Sequence, residues 1–196
     1  MHAQAQQTPQ ASATQAVAVA PEGTQPLPVE REVDLQRYAG LWYEQARLPN
    51  SFQRDCAEKV TAYYAPRKEG VLVVNRCVQA DGTPKEAKGM ARRVQNAQAP
   101  NAGQLEVRFA PRWMSWLPMV WGDYVIISLD PDYRTALIGT PNREYLWLLS
   151  REPRMADTEV ARWLAKAQAL GFATERVSRT PQSAEVTASS TRARRP

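Results

Sequence analysis

The sequence predicts an all-β domain, an eight-stranded antiparallel up-and-down β-barrel with one C-terminal α-helix packed outside. Three observations predict it. Between Leu41 and Arg151 the chain reads as short runs of alternating polarity, the period of a strand with one buried face. Clusters such as "PRKEG", "ADGTPK" and "TPNRE", rich in turn-forming residues, separate the runs. Connections this short pair each strand with its predecessor, and a long meander loses its exposed edges by closing on itself.

The strands are expected at 41–48, 57–65, 70–79, 86–94, 104–110, 121–130, 134–140 and 143–151. Alternation sorts their faces. In the first, Gln45 and Arg47 turn to water, which sends Trp42, Glu44, Ala46 and Leu48 inward. The second sends in Glu58, Val60, Ala62 and Tyr64, and the third Val71, Val73, Asn75 and Cys77. The fourth contributes Ala87, Gly89, Ala91 and Arg93; the fifth contributes Leu105, Val107 and Phe109, with Glu106 and Arg108 outside. After the eighth strand, "DTEVARWLAKAQALGF" has Val160, Trp163, Leu164, Ala167 and Leu170 at helical spacing. Asp157 stands where a cap is needed and Gly171 where a helix stops. "ATERVSR" supplies a short ninth strand.

The flanks differ in kind. Residues 1–32 are rich in Ala, Gln, Pro and Thr, without an aromatic side chain, and read as a flexible leader. Residues 181–196 read as a basic tail, so the folding body is expected at 33–180. The leader has neither a charged start nor a long apolar run, so it is read not as an intact signal peptide but as the mature start of an exported chain. No run reaches the roughly 18 apolar residues of a membrane span. Of the net charge of +5, Arg192, Arg194 and Arg195 in the tail supply three, so no nucleic-acid partner is indicated. The one histidine is His2, which argues against zinc sites of the usual kind and histidine-based triads. No metal, cofactor or catalytic residue is assigned.

The two cysteines test the register. A hairpin turning at "PRKEG" pairs residues whose numbers sum to about 133, which puts Cys56 opposite Cys77 on one face. A disulfide there points to an oxidising compartment. Two buried thiols, or one reactive cysteine, are the competing readings.

An eight-stranded barrel has room to be filled by side chains or to hold one small ligand. The small inward residues Ala46, Ala62, Ala87, Gly89 and Ala91 favour a cavity, into which polar groups such as Glu44, Asn75 and Tyr124 reach.

Three segments together resemble the lipocalin family: "GLW" at 40–42, "LDPDYRTALI" at 129–138 and "YLWLLSR" at 145–151. The likeness runs from about Val33 to Val177 and is chiefly to bacterial lipocalins of the cell envelope and to apolipoprotein D. Strand direction independently gathers Gly40, Trp42, Asp132, Tyr133 and Arg151 at one end. The resemblance implies that this end is closed, with Arg151 lying over Trp42. The opposite end is then the mouth. It carries Phe52 and the apolar 111–121 loop with Trp113 and Trp116, read either as folding over the barrel or as a rim that touches a membrane surface.

The family implies a carrier of one small hydrophobic ligand, a fatty acid, lysophospholipid or similar lipid, in the periplasm or at the outer membrane. The resemblance adds Tyr124 and Trp147 to the ligand wall; alternation adds Glu44, Ala46, Tyr64, Ala91, Val107 and Phe109. Glu44 suits an acidic ligand only if protonated or paired with an arginine. The alternatives are a lipocalin-fold enzyme acting on a lipid or isoprenoid, or a filled barrel that serves protein interaction. Oligomeric state is not legible.

Overall fold

A computed structural model describes residues 25–94, 99, 102–109 and 121–182. The elements are α1 (Leu35–Tyr38), β1 (Gly40–Arg47), β2 (Cys56–Arg67), β3 (Gly70–Gln79), β4 (Pro84–Arg93), β5 (Gln104–Arg108), β6 (Gly122–Leu129), β7 (Thr135–Gly139), β8 (Leu146–Ser150), α2 (Asp157–Ala169) and β9 (Ser178–Arg179). Each strand from β2 to β8 pairs antiparallel with the next, β8 pairs with β1, and β1 pairs with β2. The ring is closed, and α2 lies outside it.

Two apolar layers follow from the alternation. The inner one gathers Trp42, Tyr64, Val73, Leu105, Ile138 and Leu149 inside the barrel. The outer one sets Leu137, Leu146 and Leu148 against Val160, Trp163 and Ala167 of α2, which is why the helix needs its apolar stripe. The helix stops at Gly171, which adopts φ +84. At its start the expected cap is corrected. Ala156 holds the N-cap position with no side-chain bond, and Asp157, the first helical residue, pairs with Arg179 at 2.8 Å.

The closed end is built around one guanidinium. Arg151 lies 3.9 Å from the centroid of the fully buried Trp42 ring. Its Nη1 donates to Leu41 O, its Nη2 to the carbonyls of Arg37, Tyr38 and Ala39, and its Nε to Tyr133 O, at 2.8–3.2 Å. The Trp42 indole donates to Tyr38 O at 2.8 Å. Gly40 takes φ +97, and a Cβ there would sit 3.3 Å from Arg151 Nη1, so both backbone and clasp ask for glycine. Tyr133 shares this end, its hydroxyl accepting from Asp34 N at 3.0 Å. Asp132 is exposed on the same turn; the carboxylate that braces the turn is that of Asp130, which accepts from Arg134 N.

Several expectations are corrected. In the β2–β3 hairpin Ala62 faces Asn75 and Tyr64 faces Val73, so the paired numbers sum to 137 rather than 133. The reason is Pro66, read as a breaker but carried inside β2. There the strand has run past its last β1 pair, Gly40 with Tyr64, and a missing N–H on that edge breaks no ladder. Cys56 therefore faces Gln79, not Cys77. Two register shifts near Glu58 still bring the cysteines to a Cα separation of 5.5 Å, and they form a disulfide.

The domain limits also widen. Within the expected leader, Leu27 is buried in the outer layer, Glu30 N donates to Ile126 O at 2.9 Å and Gly103 N donates to Glu30 O at 2.7 Å. Within the expected tail, Lys59 N donates to Pro181 O and the Gln182 amide donates to Val60 O, both within 2.8 Å. These short polar segments add main-chain bonds, which composition does not reveal.

Replacing Arg151 with methionine keeps an apolar stem over Trp42 but removes the charge and five carbonyl partners. Urea unfolding should show a loss of about 3 kcal/mol or more; a loss under about 1 kcal/mol would show that the clasp matters little.

Candidate functional site

The inner layer fills only the lower part of the barrel. Above it lies a cavity of about 600 Å³ whose wall includes Val60, Ala62, Val73, Val107, Phe109 and Leu149. Of the expected wall residues, Glu44, Tyr64, Val107, Phe109, Tyr124 and Trp147 line it. Ala91 lies lower, against a gap of about 10 Å³ bounded also by Tyr38, Tyr64 and Val71. Ala46 does not face the cavity at all. A register shift between Glu44 and Ala46 in the β1–β8 ladder reverses the alternation, so Ala46 packs in the outer layer beneath α2. By the same shift Arg47, expected in water, swings to the side of Glu44. Phe52 is at the mouth, 53% exposed, with its ring 5.3 Å from Tyr145 and 6.1 Å from Trp147. Trp113 and Trp116 lie outside the described residues.

Two polar clusters border this space. The first closes on Glu44, only 2% exposed. One carboxylate oxygen accepts from Arg47 Nη1 at 2.5 Å and from the Thr180 hydroxyl at 2.6 Å; the other accepts from the Gln53 amide at 2.8 Å. Gln53 Oε1 in turn accepts from the Trp147 indole and from the Asn50 amide, each at 2.8 Å. Arg47 Nη2 donates to Cys56 O at 2.9 Å. A buried carboxylate is tolerated because its charge is paired and its lone pairs are filled. This is the arginine pairing that an acidic wall residue requires.

The second cluster is the floor. Tyr124 stands between Tyr38 and Tyr64, with 2.8 Å between its hydroxyl and each of theirs. Burial is the largest influence on all three and raises their pKa values, Tyr64 to about 12 and the other two well above 10. For Tyr64 the bond from Tyr124 opposes this rise and the charge of Glu44 adds to it. The floor therefore keeps its protons across physiological pH.

Sequence reasoning missed Arg47, Gln53 and Thr180 around Glu44, and Tyr38 under the floor. Only Tyr38 left a signal, standing two residues before Gly40 where α1 delivers it beneath the barrel. The α1 turn itself is set by Asp34, whose carboxylate accepts from Gln36 N at 2.8 Å and Arg37 N at 3.3 Å.

A family model described as a lipocalin-like domain matches residues 33–182. Temperature-induced lipocalin-1 of Arabidopsis thaliana is 33% identical over 156 residues, 79% of this chain and 82% of its own. The outer membrane lipoprotein Blc of Escherichia coli K12 is 38% identical over 146 residues, 74% of this chain and 76% of its own. Among solved structures, insecticyanin of the tobacco hornworm Manduca sexta superimposes with a TM-score of 0.62 at 19% identity, covering 82% of this chain and 86% of its own, a likeness of fold.

The raised tyrosine pKa values carry a stability consequence. Folded values above the unfolded one mean that their contribution is complete below pH 10 and is lost as pH rises towards 12. Absorbance at 295 nm should show Tyr38, Tyr64 and Tyr124 ionising only as the tryptophan signal of the folded state disappears. Ionisation of all seven tyrosines near pH 10 in a folded chain would contradict the buried floor.

Proposed function

The chain belongs to the lipocalin family, and from that premise we propose that it binds and carries one small hydrophobic molecule, a fatty acid, lysophospholipid or similar single-chain lipid. The observation that carries this reading is the cavity. It measures about 600 Å³, is walled largely by apolar side chains and ends on a polar floor. Ligand sites of roughly 300–1,000 Å³ with a few orienting polar groups enclose most of a small molecule's surface. An acyl chain buried there gains about 0.8 kcal/mol per methylene, enough for firm binding without strong polar contacts.

The same cavity argues against a filled barrel used only for protein interaction. Against a lipocalin-fold enzyme stands the use of both cysteines in one bridge, which leaves no thiolate nucleophile, together with the position of the only histidine at residue 2. The proposed location is the cell envelope, in the periplasm or at the outer membrane. The disulfide suits an oxidising compartment, and the relative from Escherichia coli is named as an outer membrane lipoprotein.

Contact with a membrane surface is part of this proposal. Phe52 and Phe109, both about half exposed, line the cavity, and Phe109 precedes in sequence the apolar 111–121 segment, which lies outside the described residues up to 120.

Two measurements check these readings. Oleic acid or lysophosphatidylcholine should quench the tryptophan fluorescence of the delipidated chain saturably at one ligand per chain. Ala62→Phe, which puts a ring into the cavity, should weaken that binding by about tenfold or more. Absence of saturable quenching by any lipid would remove the carrier reading. For the rim, a double Trp113→Ser, Trp116→Ser variant should bind lipid vesicles at least about threefold more weakly than the parent; equal binding would remove the membrane contact.

A further inference from the structure

We propose that the cavity selects its lipid by an uncharged head that both donates and accepts hydrogen bonds, an alcohol, glyceride or amide, over a carboxylate or phosphate. The inference rests on the carrier reading and refines it: the fatty acid and lysophospholipid named there still bind, but more weakly than a neutral lipid with the same acyl chain.

Charge is the first ground. Among the described residues that line the cavity, the side chains carrying charge at neutral pH are two acids, Glu44 and Asp123. The arginine nearest to Glu44 is committed. Arg47 Nη1 donates to Glu44 and lies 3.3 Å from the Thr180 hydroxyl, while Nη2 donates to Cys56 O. An anionic head entering this space loses its hydration, meets acids and finds no described cation on the wall. The floor gives the same answer, since burial already makes a phenolate there unfavourable.

Hydrogen-bonding capacity is the second ground. Asn75 lines the cavity on β3, opposite Ala62 and one inward position nearer the mouth than Val73. Its Oδ1 is buried without a partner. A lone buried acceptor in a ligand cavity is satisfied by a donor, which a hydroxyl or amide supplies and a carboxylate does not.

Counting protons on the floor supplies the third ground. Tyr38, Tyr64 and Tyr124 carry three hydroxyl protons, and the two short contacts at 2.8 Å, both to Tyr124, use two of them. Tyr64 and Tyr124 both line the cavity, so when either holds the third proton it can donate to an oxygen of the ligand. A hydroxyl head answers both needs at once. It gives its proton to Asn75 and accepts one from the floor.

The test uses the full delipidated chain at pH 7.4 with three ligands sharing one acyl skeleton: oleyl alcohol, 1-monooleoylglycerol and oleate. The two neutral lipids should bind at least about tenfold more tightly than oleate. Asn75→Leu, checked for fold by circular dichroism, should shrink that gap to about threefold or less by weakening the neutral ligands. Should Asn75→Leu fail to fold, Asn75→Ala serves the same comparison, and the ranking in the parent chain stands on its own as a test. Oleate binding as tightly as oleyl alcohol overturns the inference while leaving the carrier reading in place. An unchanged gap in a folded Asn75 variant overturns the assignment to that residue. No saturable binding by any of the three overturns the carrier reading as well.

Discussion

The guanidinium of Arg151 is the piece on which the barrel turns. It covers the Trp42 ring and gathers carbonyls from Arg37, Tyr38, Ala39, Leu41 and Tyr133, tying the entry to β1 to the turn between β6 and β7 and to the end of β8. The carbonyls of Arg37, Tyr38 and Ala39 lie at the end of α1, where they need a donor, that of Leu41 lies near the start of β1 and that of Tyr133 in the β6–β7 turn. A lysine could not reach them from one planar fork while lying flat on an indole. Because this end is sealed, the usable space lies at the other end. The short helix held by the same clasp is what carries Tyr38 beneath the floor.

From that base upward the interior changes from filled to hollow. Trp42, Tyr38 and Leu105 pack the bottom, the tyrosine trio forms a floor, and above it the short side chains of Ala62 and Val73, on the paired strands β2 and β3, leave the space open. Polar groups in the upper wall are nearly all closed upon partners. Glu44 has Arg47, Gln53 and Thr180, and Trp147 has Gln53. Among the fully buried polar atoms of the described wall residues, Asn75 Oδ1 is left open. A cavity whose polar groups are mostly pre-satisfied presents an apolar wall to a ligand and confines specificity to the few groups still unpaired.

The β1 shift between Glu44 and Ala46 links this wall to the outside. One extra residue turns Ala46 out against the apolar face of α2 and brings Arg47 in towards Glu44. The C-terminal segment completes the arrangement. Thr180 donates to the same carboxylate, and Gln182 bridges Glu44 O and Val60 O, where β1 and β2 no longer pair. The facing of Ala46 towards the helix outside and the buried ion pair inside thus follow from a single local irregularity, and the segment carrying Thr180 and Gln182 docks against it.

Much of this was legible in the sequence, and the reasons it was or was not are physical. The eight strands, the ninth, the helix stripe and the gathering of Trp42 and Arg151 at one end depend on periodicity and strand direction, which the sequence displays, while the stacking of the one on the other is what the family resemblance implies. The β2–β3 register was lost because Pro66 looks like a terminator until its neighbour on that edge is known to be absent. Ala46 and Arg47 were assigned to the wrong faces because nothing in "YEQAR" marks a bulge. The packing of Leu27, Glu30 and Gln182 escaped notice because it works through backbone and amide bonds in segments of polar composition. The most direct test of a ligand held between the tyrosine floor and the mouth is an NMR experiment on the protein with a 13C-labelled lipid acyl chain. Cross-peaks from the chain to Val107, Tyr124 and Trp147 are the result expected; cross-peaks confined to outer-layer residues such as Val29 or Leu164, with Tyr124 unperturbed, would contradict it.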